Sequence, residues 1–306
     1  MDLYKISSTG LSINYMPQYV AEERGIFKAL NIEVETYIPD PWPKVLDDID
    51  SGKYAAVCGG IWVPSMYLAH NVARYKVIAK ISSRCPFKLV ARESKKFAWR
   101  DLEGKTVLVP CDGGASAYIF LLGTLKQKGV DTQKVRFVHD FVGSMLLKLF
   151  AHGTLGDYIL APAVNADAIA DKGQGTIVSE MAVDGGPVPW SVYYSTLEFS
   201  EENKDLNKRF ALGIQRGLQW MHEHEANDVA DIIRKLWPSS NIQTGVETVQ
   251  RFLKEGMWSH SIDVEDEEFN RYAEYQVAAG ILDHAVSKND LMDLEVIKYV
   301  KQYQST

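Results

Sequence analysis

Three cysteines and seven histidines are the side chains from which nucleophilic or metal chemistry would have to be assembled. Cys58 and Cys111 each close an apolar run that reads as a strand, and Cys111 stands just before a helix start. The partial positive charge of a helix N-terminus stabilises a thiolate, which is the attacking form of the residue. Cysteine also packs at strand ends as a small apolar residue, and this inert case is the expected one. His139, followed by Asp140 after an extended run, is the best-placed candidate base, with His70 and His152 behind it. Spacing alone puts none of them beside a thiol. His222 and His224 are two apart, so on a helix they face different ways and make a poor metal clamp. With no C-x-x-C pair, reduced thiols, no metal and no cofactor are expected.

Ligand capture asks less of a sequence: aromatic walls, a few convergent donors and close backbone approach. The run Thr106–Tyr118 reads as a strand, a turn with Gly113 and Gly114, and a helix start with Ser116. Its glycines admit a guest to the backbone, and the first-turn amides with Ser116 offer donors to a carboxylate, sulfonate or phosphate. The competing role is structural, with glycines that only turn the chain and a serine that only caps. Ser8, Thr9, Asn14, Ser116 and Asn165 are the expected polar contacts. Tyr15, Trp42, Trp62, Trp190 and Tyr193 are the expected walls, and Gly59 and Gly60 a second close approach. Trp42 is favoured as functional because Pro39, Pro41 and Pro43 hold it in a stiff loop; for Trp62 and Tyr193 core packing competes.

The elements that must position these residues alternate. Strands are expected at 5–8, 32–38 and 54–58, with helices at 15–27, 44–49 and about 63–71 between and after them. The order recurs with strands at 106–110 and 135–139, a turn plus strand at 152–162, and helices at 115–128 and 144–151. Two copies of an α/β unit imply two lobes, each a mostly parallel sheet flanked by helices, and ligands settle beyond the carboxyl ends of such strands. Extended stretches at 77–92 and 190–194 read as crossings between lobes. The remainder reads as helices at 204–223, 228–236, 245–254 and 266–279, with apolar positions such as Phe210, Leu212 and Ile214 in the core.

The chain has 306 residues, 46% of them hydrophobic and 24% charged, with a net charge of −7. That balance disfavours nucleic acid or an anionic membrane as partner. No apolar run reaches the roughly 18 residues a membrane span requires, and the opening residues do not read as a leader. A cytoplasmic location is expected if Met1 is the native start, and an exported one if a leader was removed.

Tyr19–Phe27 followed by Asn31–Val34 resembles the opening of the family that joins sulfonate and taurine, nitrate and thiamine-pyrimidine binding proteins. Leu102–Val107 is similar to the run that opens that family's second lobe, and Ala279–Leu282 to its closing helix. The resemblance covers nearly the whole chain and implies a two-lobed type II periplasmic-binding-protein fold. Lobe one would comprise residues 1–91 plus 192–306 and lobe two residues 92–191, with a ligand between them. The fold also carries cytosolic enzymes, but the cysteine cluster of the pyrimidine-forming enzymes is missing. Where the desulfinases have a nucleophilic cysteine after the first strand, this chain has Ser8, Ser12 and Asn14. The leading expectation is a binding protein for a small organic, anionic or ring-bearing molecule, with an ABC permease as partner if exported. A cytosolic enzyme (lyase, hydrolase or thiamine-pyrimidine type) and a ligand sensor are the alternatives.

Overall fold

The computed structural model describes residues 1–93, 96–111 and 115–303. Among them the chain forms ten strands: β1 Asp2–Ser8, β2 Ile32–Tyr37, β3 Ala56–Gly59, β4 Tyr75–Ser82, β5 Phe87–Ala91, β6 Thr106–Leu108, β7 Arg136–Val138, β8 Tyr158–Pro162, β9 Thr176–Glu180 and β10 Ser191–Thr196. They build two sheets in two compact units. Unit 1 comprises Met1–Ser83, Pro189–Phe269 and Val286–Thr306; unit 2 comprises Arg84–Val188 and Asn270–Ala285.

The sheet of unit 1 has the order β2-β1-β3-β10-β4. β1 runs parallel to β2 and β3, pairing Ile6 with Thr36 on one side and Ala56 on the other, while β10 is antiparallel to both neighbours. The sheet of unit 2 repeats the plan as β7-β6-β8-β5-β9, with β5 antiparallel to β8 and β9. The extended stretches expected as crossings are therefore full sheet members. β4, β5 and β10 are buried along nearly their whole length, Lys80 and Lys88 included, a pattern that belongs to strands covered on both sides. The lobe limits move with them. Residues 84–91 lie in unit 2, where Phe87–Ala91 pairs with β8 and β9, residues 189–191 lie in unit 1, and residues 270–285 also belong to unit 2.

Phe210 organises the core of unit 1. Its ring stacks on Tyr4 at 4.1 Å and on Phe27 at 5.5 Å, and meets Tyr193 edge-on at 5.0 Å. The helix Lys204–Glu223 that carries Phe210 crosses Met16–Glu23 so closely that a Cβ on Gly217 would stand 2.2 Å from the Pro17 carbonyl oxygen, which only glycine permits. The sheet of unit 2 rests on an aliphatic core of Val90, Leu108, Leu146, Ile159 and Ile169 around Phe150. The expected helix at 15–27 is divided: a 3-10 turn spans Ile13–Tyr15, the α-helix Met16–Glu23 follows, and Gly25 at φ 72° breaks the chain before the short turn Ile26–Ala29.

Candidate functional site

In unit 1, the register brings the carboxyl ends of β1, β3 and β4 and the start of β10 to one sheet edge, because Ser191 pairs with Ser82 and Tyr193 with Cys58. The turn Ile13–Tyr15 folds over that edge. Asn14 Nδ2 donates to Ser82 Oγ at 3.1 Å, and the Asn14 carbonyl accepts the Trp258 indole N–H at 2.9 Å. Ser191 Oγ donates to the Tyr15 hydroxyl at 3.5 Å, and the Ser12 hydroxyl donates to Asn14 Oδ1. Ser8 is held locally, its hydroxyl donating to the Gly10 carbonyl at 2.9 Å.

Beneath this layer, Cys58 is fully buried among the hydroxyls of Tyr193, Tyr15 and Ser8. Burial pushes its thiol up to about 12, against the pull of those hydroxyls, so at neutral pH it stays protonated and supplies no nucleophile. Desolvation likewise raises Tyr15 and Tyr193, which leaves the phenols neutral donors and acceptors. Tyr193 donates to Gln18 Oε1 at 2.5 Å, and Gln18 Nε2 donates in turn to Glu22 at 2.7 Å and Thr36 at 2.8 Å.

The outer layer is half-buried and consists of Thr9, Gly60, Trp42 and Trp62. Trp62 opens the helix that follows β3, and its ring meets Trp42 at 6.4 Å and 69°. A Cβ on Gly59 would press on the Thr9 methyl at 3.0 Å, so the turn after β3 lies flush against the loop after β1. These residues form a wall with aromatic faces and a hydroxyl, backed by a hydrogen-bonded layer that fixes them.

The remaining expected site residues fall elsewhere. Tyr193 is wholly buried and packed on Phe210, and Trp190 is buried, so each is a core side chain in this structure. For Tyr193 the reason is that β10 is an interior strand of its sheet. In unit 2, Ser116 is buried at the first position of the helix Ser116–Gln127, its hydroxyl beside that of Tyr272, while Asn165 is exposed on Ala163–Asp171. Gly113 and Gly114 lie outside the described residues. Cys111 is half-buried, and its thiol donates to the Val109 carbonyl at 3.6 Å. Cys111 and the exposed His139 both border Tyr118, whose ring centre lies 4.9 Å from that of His139. His139 Nδ1 is 3.9 Å from Asp140. His70 and His152 are exposed. Among the described residues no three His, Cys, Asp or Glu side chains cluster as a metal site, and no helix is long and apolar enough to cross a membrane.

Sequence reasoning missed Gln18, Ser82, Ser191 and Trp258. Each reaches the edge through long-range pairing, and no local motif marks any of them.

The chain is 25% identical to a Bacillus subtilis (strain 168) protein named as a binding protein, YtlA, over 97% of this chain and 89% of that one. Among solved structures it is similar to the periplasmic sulfonate-binding protein SsuA of Methylobacillus flagellatus KT, with a TM-score of 0.72, 16% identity, and coverage of 99% of this chain and 95% of that one. It is also similar to the desulfurization enzyme DszB, with a TM-score of 0.68, 12% identity, and coverage of 99% and 100%. At such identities these two share the fold with this chain, and the fold carries both a binding protein and an enzyme. The family model described as NMT1/THI5 like matches residues 12–227, which takes in the turn Ile13–Tyr15 and strands β2 to β10, and the chain belongs to that family.

Proposed function

We propose that this protein binds a small organic molecule carrying a flat or apolar body and a polar or anionic group, against the wall formed by Thr9, Gly60, Trp42 and Trp62. The observation that carries this reading is the layered edge of unit 1. Half-buried aromatic rings and a hydroxyl stand on a second layer whose polar atoms are engaged with one another, a preorganised binding surface rather than a reactive one. The protonated thiol of Cys58 removes the nucleophile that a cysteine mechanism at this edge would need. The name of YtlA supports the binding role, and the sulfonate-binding neighbour favours an anionic group on the ligand. An ABC permease is the partner this reading implies, with an extracytoplasmic place of work.

Native mass spectrometry of freshly purified protein is the test, followed by calorimetry with the molecule it identifies. Trp42→Ala is expected to weaken binding by about 1–3 kcal/mol, the scale of a lost aromatic anchor. Unchanged affinity in that variant would remove the proposed wall.

A further inference from the structure

Residues 257–262 of unit 1 form neither helix nor strand, yet both ends of this segment are tied to β4 and the residue after it. The Met257 carbonyl accepts from Ser83 N and the Ile262 carbonyl from Lys80 N, each at 2.7 Å. Gln215, buried on the helix Lys204–Glu223, holds the far half: its Nε2 donates to the His260 carbonyl at 2.8 Å, and its Oε1 accepts from Ile262 N at 3.0 Å. Between these ties stands the buried Trp258, whose indole N–H holds the Asn14 carbonyl, so the segment anchors the turn Ile13–Tyr15. One side-chain contact grips the segment from the same helix. The half-buried ring of His222 stacks on the exposed ring of His260, with centres 3.8 Å apart and planes 24° from parallel.

Two neutral imidazoles stack as flat, partly apolar rings, whereas two imidazolium ions in direct contact repel with no water between them. Burial and the neighbouring His260 both lower the proton affinity of His222, against the pull of the Ser259 and Trp258 carbonyls. Below the ordinary value of 6.5 the unfolded chain takes up a proton that the folded chain resists. The contribution of this group to stability is therefore complete at neutral pH and is lost as pH falls through that window. Charged groups on the surrounding elements have other neighbours. His224 stacks on Trp220 and bonds its carbonyl, and Glu223 and Glu225 are exposed. Arg251 and Glu255, on the helix Ile242–Glu255, lie 4.0 Å from one another, and Asp263 is 2.6 Å from Lys301 and 4.0 Å from Lys288.

We infer that the His222–His260 stack is a pH-sensitive latch: protonation of both rings parts them, loosens residues 257–262 and, through Trp258, frees the turn Ile13–Tyr15 from the edge of unit 1. The segment has no ladder of its own, so the stack, the Gln215 bonds and the two end ties carry its order, and a charge repulsion at the stack acts on its exposed middle. An edge preorganised at neutral pH is thereby loosened in acid. The consequence for a bound molecule rests on the binding reading above; the latch itself does not.

The test reads the turn with no ligand present. In the 15N-labelled chain the Trp258 indole N–H signal is identified by its loss in Trp258→Phe. Its hydrogen exchange is then followed at pH 7.5 and pH 5 and corrected for the intrinsic pH dependence of indole exchange. Protection in the wild type is expected to fall roughly tenfold between the two, the scale of one hydrogen bond released by local opening. His222→Phe keeps a flat ring against His260 but takes no proton, so its protection should be the same at both pH values. His260→Phe, at an exposed position that does not threaten folding, should hold its protection in acid too, because a single imidazolium on His222 then faces no second charge. Protection in the wild type that does not change with pH, or an acid loss in His260→Phe as large as that of the wild type, would overturn the latch. Because no ligand enters the measurement, an unchanged affinity in Trp42→Ala would defeat the wall and leave the latch standing.

Discussion

The two sheets share one plan, three parallel strands joined through an antiparallel one to a fifth, yet their carboxyl edges differ. In unit 1 the turn Ile13–Tyr15 is laid across the edge, so Ser8, Asn14, Tyr15 and Cys58 are buried, with Asn14 bonded to Ser82 and Tyr15 to Ser191. In unit 2 the corresponding ends carry half-buried Cys111, exposed His139 and, just after β7, the exposed apolar side chains Phe141, Val142 and Met145. Sheet topology therefore fixes where the strand-end residues gather, while the segment that follows each strand decides whether they are dry or wet. The same contrast separates the two buried lysines. Lys80 on β4 and its partner Glu268 are both almost wholly buried, at 1% and 4% exposure of their side chains. Lys88 on β5 is as buried, but its partners Asp167, at 2.7 Å, and Glu180, at 2.9 Å, are 22% and 34% exposed.

The lysines give the largest expected effect. Lys80→Met strands the Glu268 carboxylate where water cannot reach it, and breaking a buried pair in this way costs about 3–5 kcal/mol. Lys88→Met leaves two carboxylates that water already touches, and about 1–2 kcal/mol is expected. Urea denaturation of both variants measures the difference. Equal losses would mean that the edge of unit 1 is no drier than that of unit 2.

The alternation of strands and helices was legible in the sequence because each unit repeats the same local grammar, an apolar run, a Gly or Pro break and then helical spacing. The number of copies followed from that. The membership of β4, β5 and β10 was not legible, since a buried run such as Val77–Ile81 carries no mark of the sheet it joins. The site was legible to a similar depth. Trp42 and Thr9 stand in loops whose composition marks them, Trp62 opens the helix after Gly59 and Gly60, and all three are half-buried. The burial of Tyr193 was not legible, because it depends on β10 lying between β3 and β4, a pairing between residues more than a hundred positions apart. Trp258 was invisible for a similar reason, since its bond to Asn14 joins residues far apart in the chain.

A smaller effect tests how dry the polar layer of unit 1 is. Burial pushes the Glu22 carboxyl up to about 7, against the opposing hydrogen bond from Gln18. Between the ordinary value of 4.5 and 7, the unfolded chain has released this proton while the folded chain still holds it. The folded state then binds more protons, so this group makes stability fall as pH rises through that window and level off above it. The expected loss is about 1–2 kcal/mol, less than the full shift implies because Glu22 is only partly buried. Glu22→Gln abolishes this component, and the difference between wild type and variant in denaturation at pH 5 and pH 7.5 reads it directly. Identical pH dependence in the two proteins would show that water reaches the line Tyr193–Gln18–Glu22.

The smallest effect on stability, and the sharpest on reactivity, is expected at the thiols. With its pKa near 12, Cys58 holds only about one thiolate in ten thousand molecules at pH 8, whereas an ordinary thiol near 8.5 is about a quarter ionised. Cys85 is buried too, and desolvation raises it as well. Cys111 is half-buried, so reagent can reach its sulfur. Brief treatment of the native protein with iodoacetamide at pH 8, followed by peptide mass mapping, should find label on Cys111 alone, with Cys58 and Cys85 modified only after unfolding. The Cys111→Ala variant, which loses a thiol from a partly wet position, should denature within about 0.5 kcal/mol of the wild type. Native labelling of Cys58 at the rate of Cys111 would mean that the turn Ile13–Tyr15 does not seal the edge, and the contrast between the two strand-end regions would collapse.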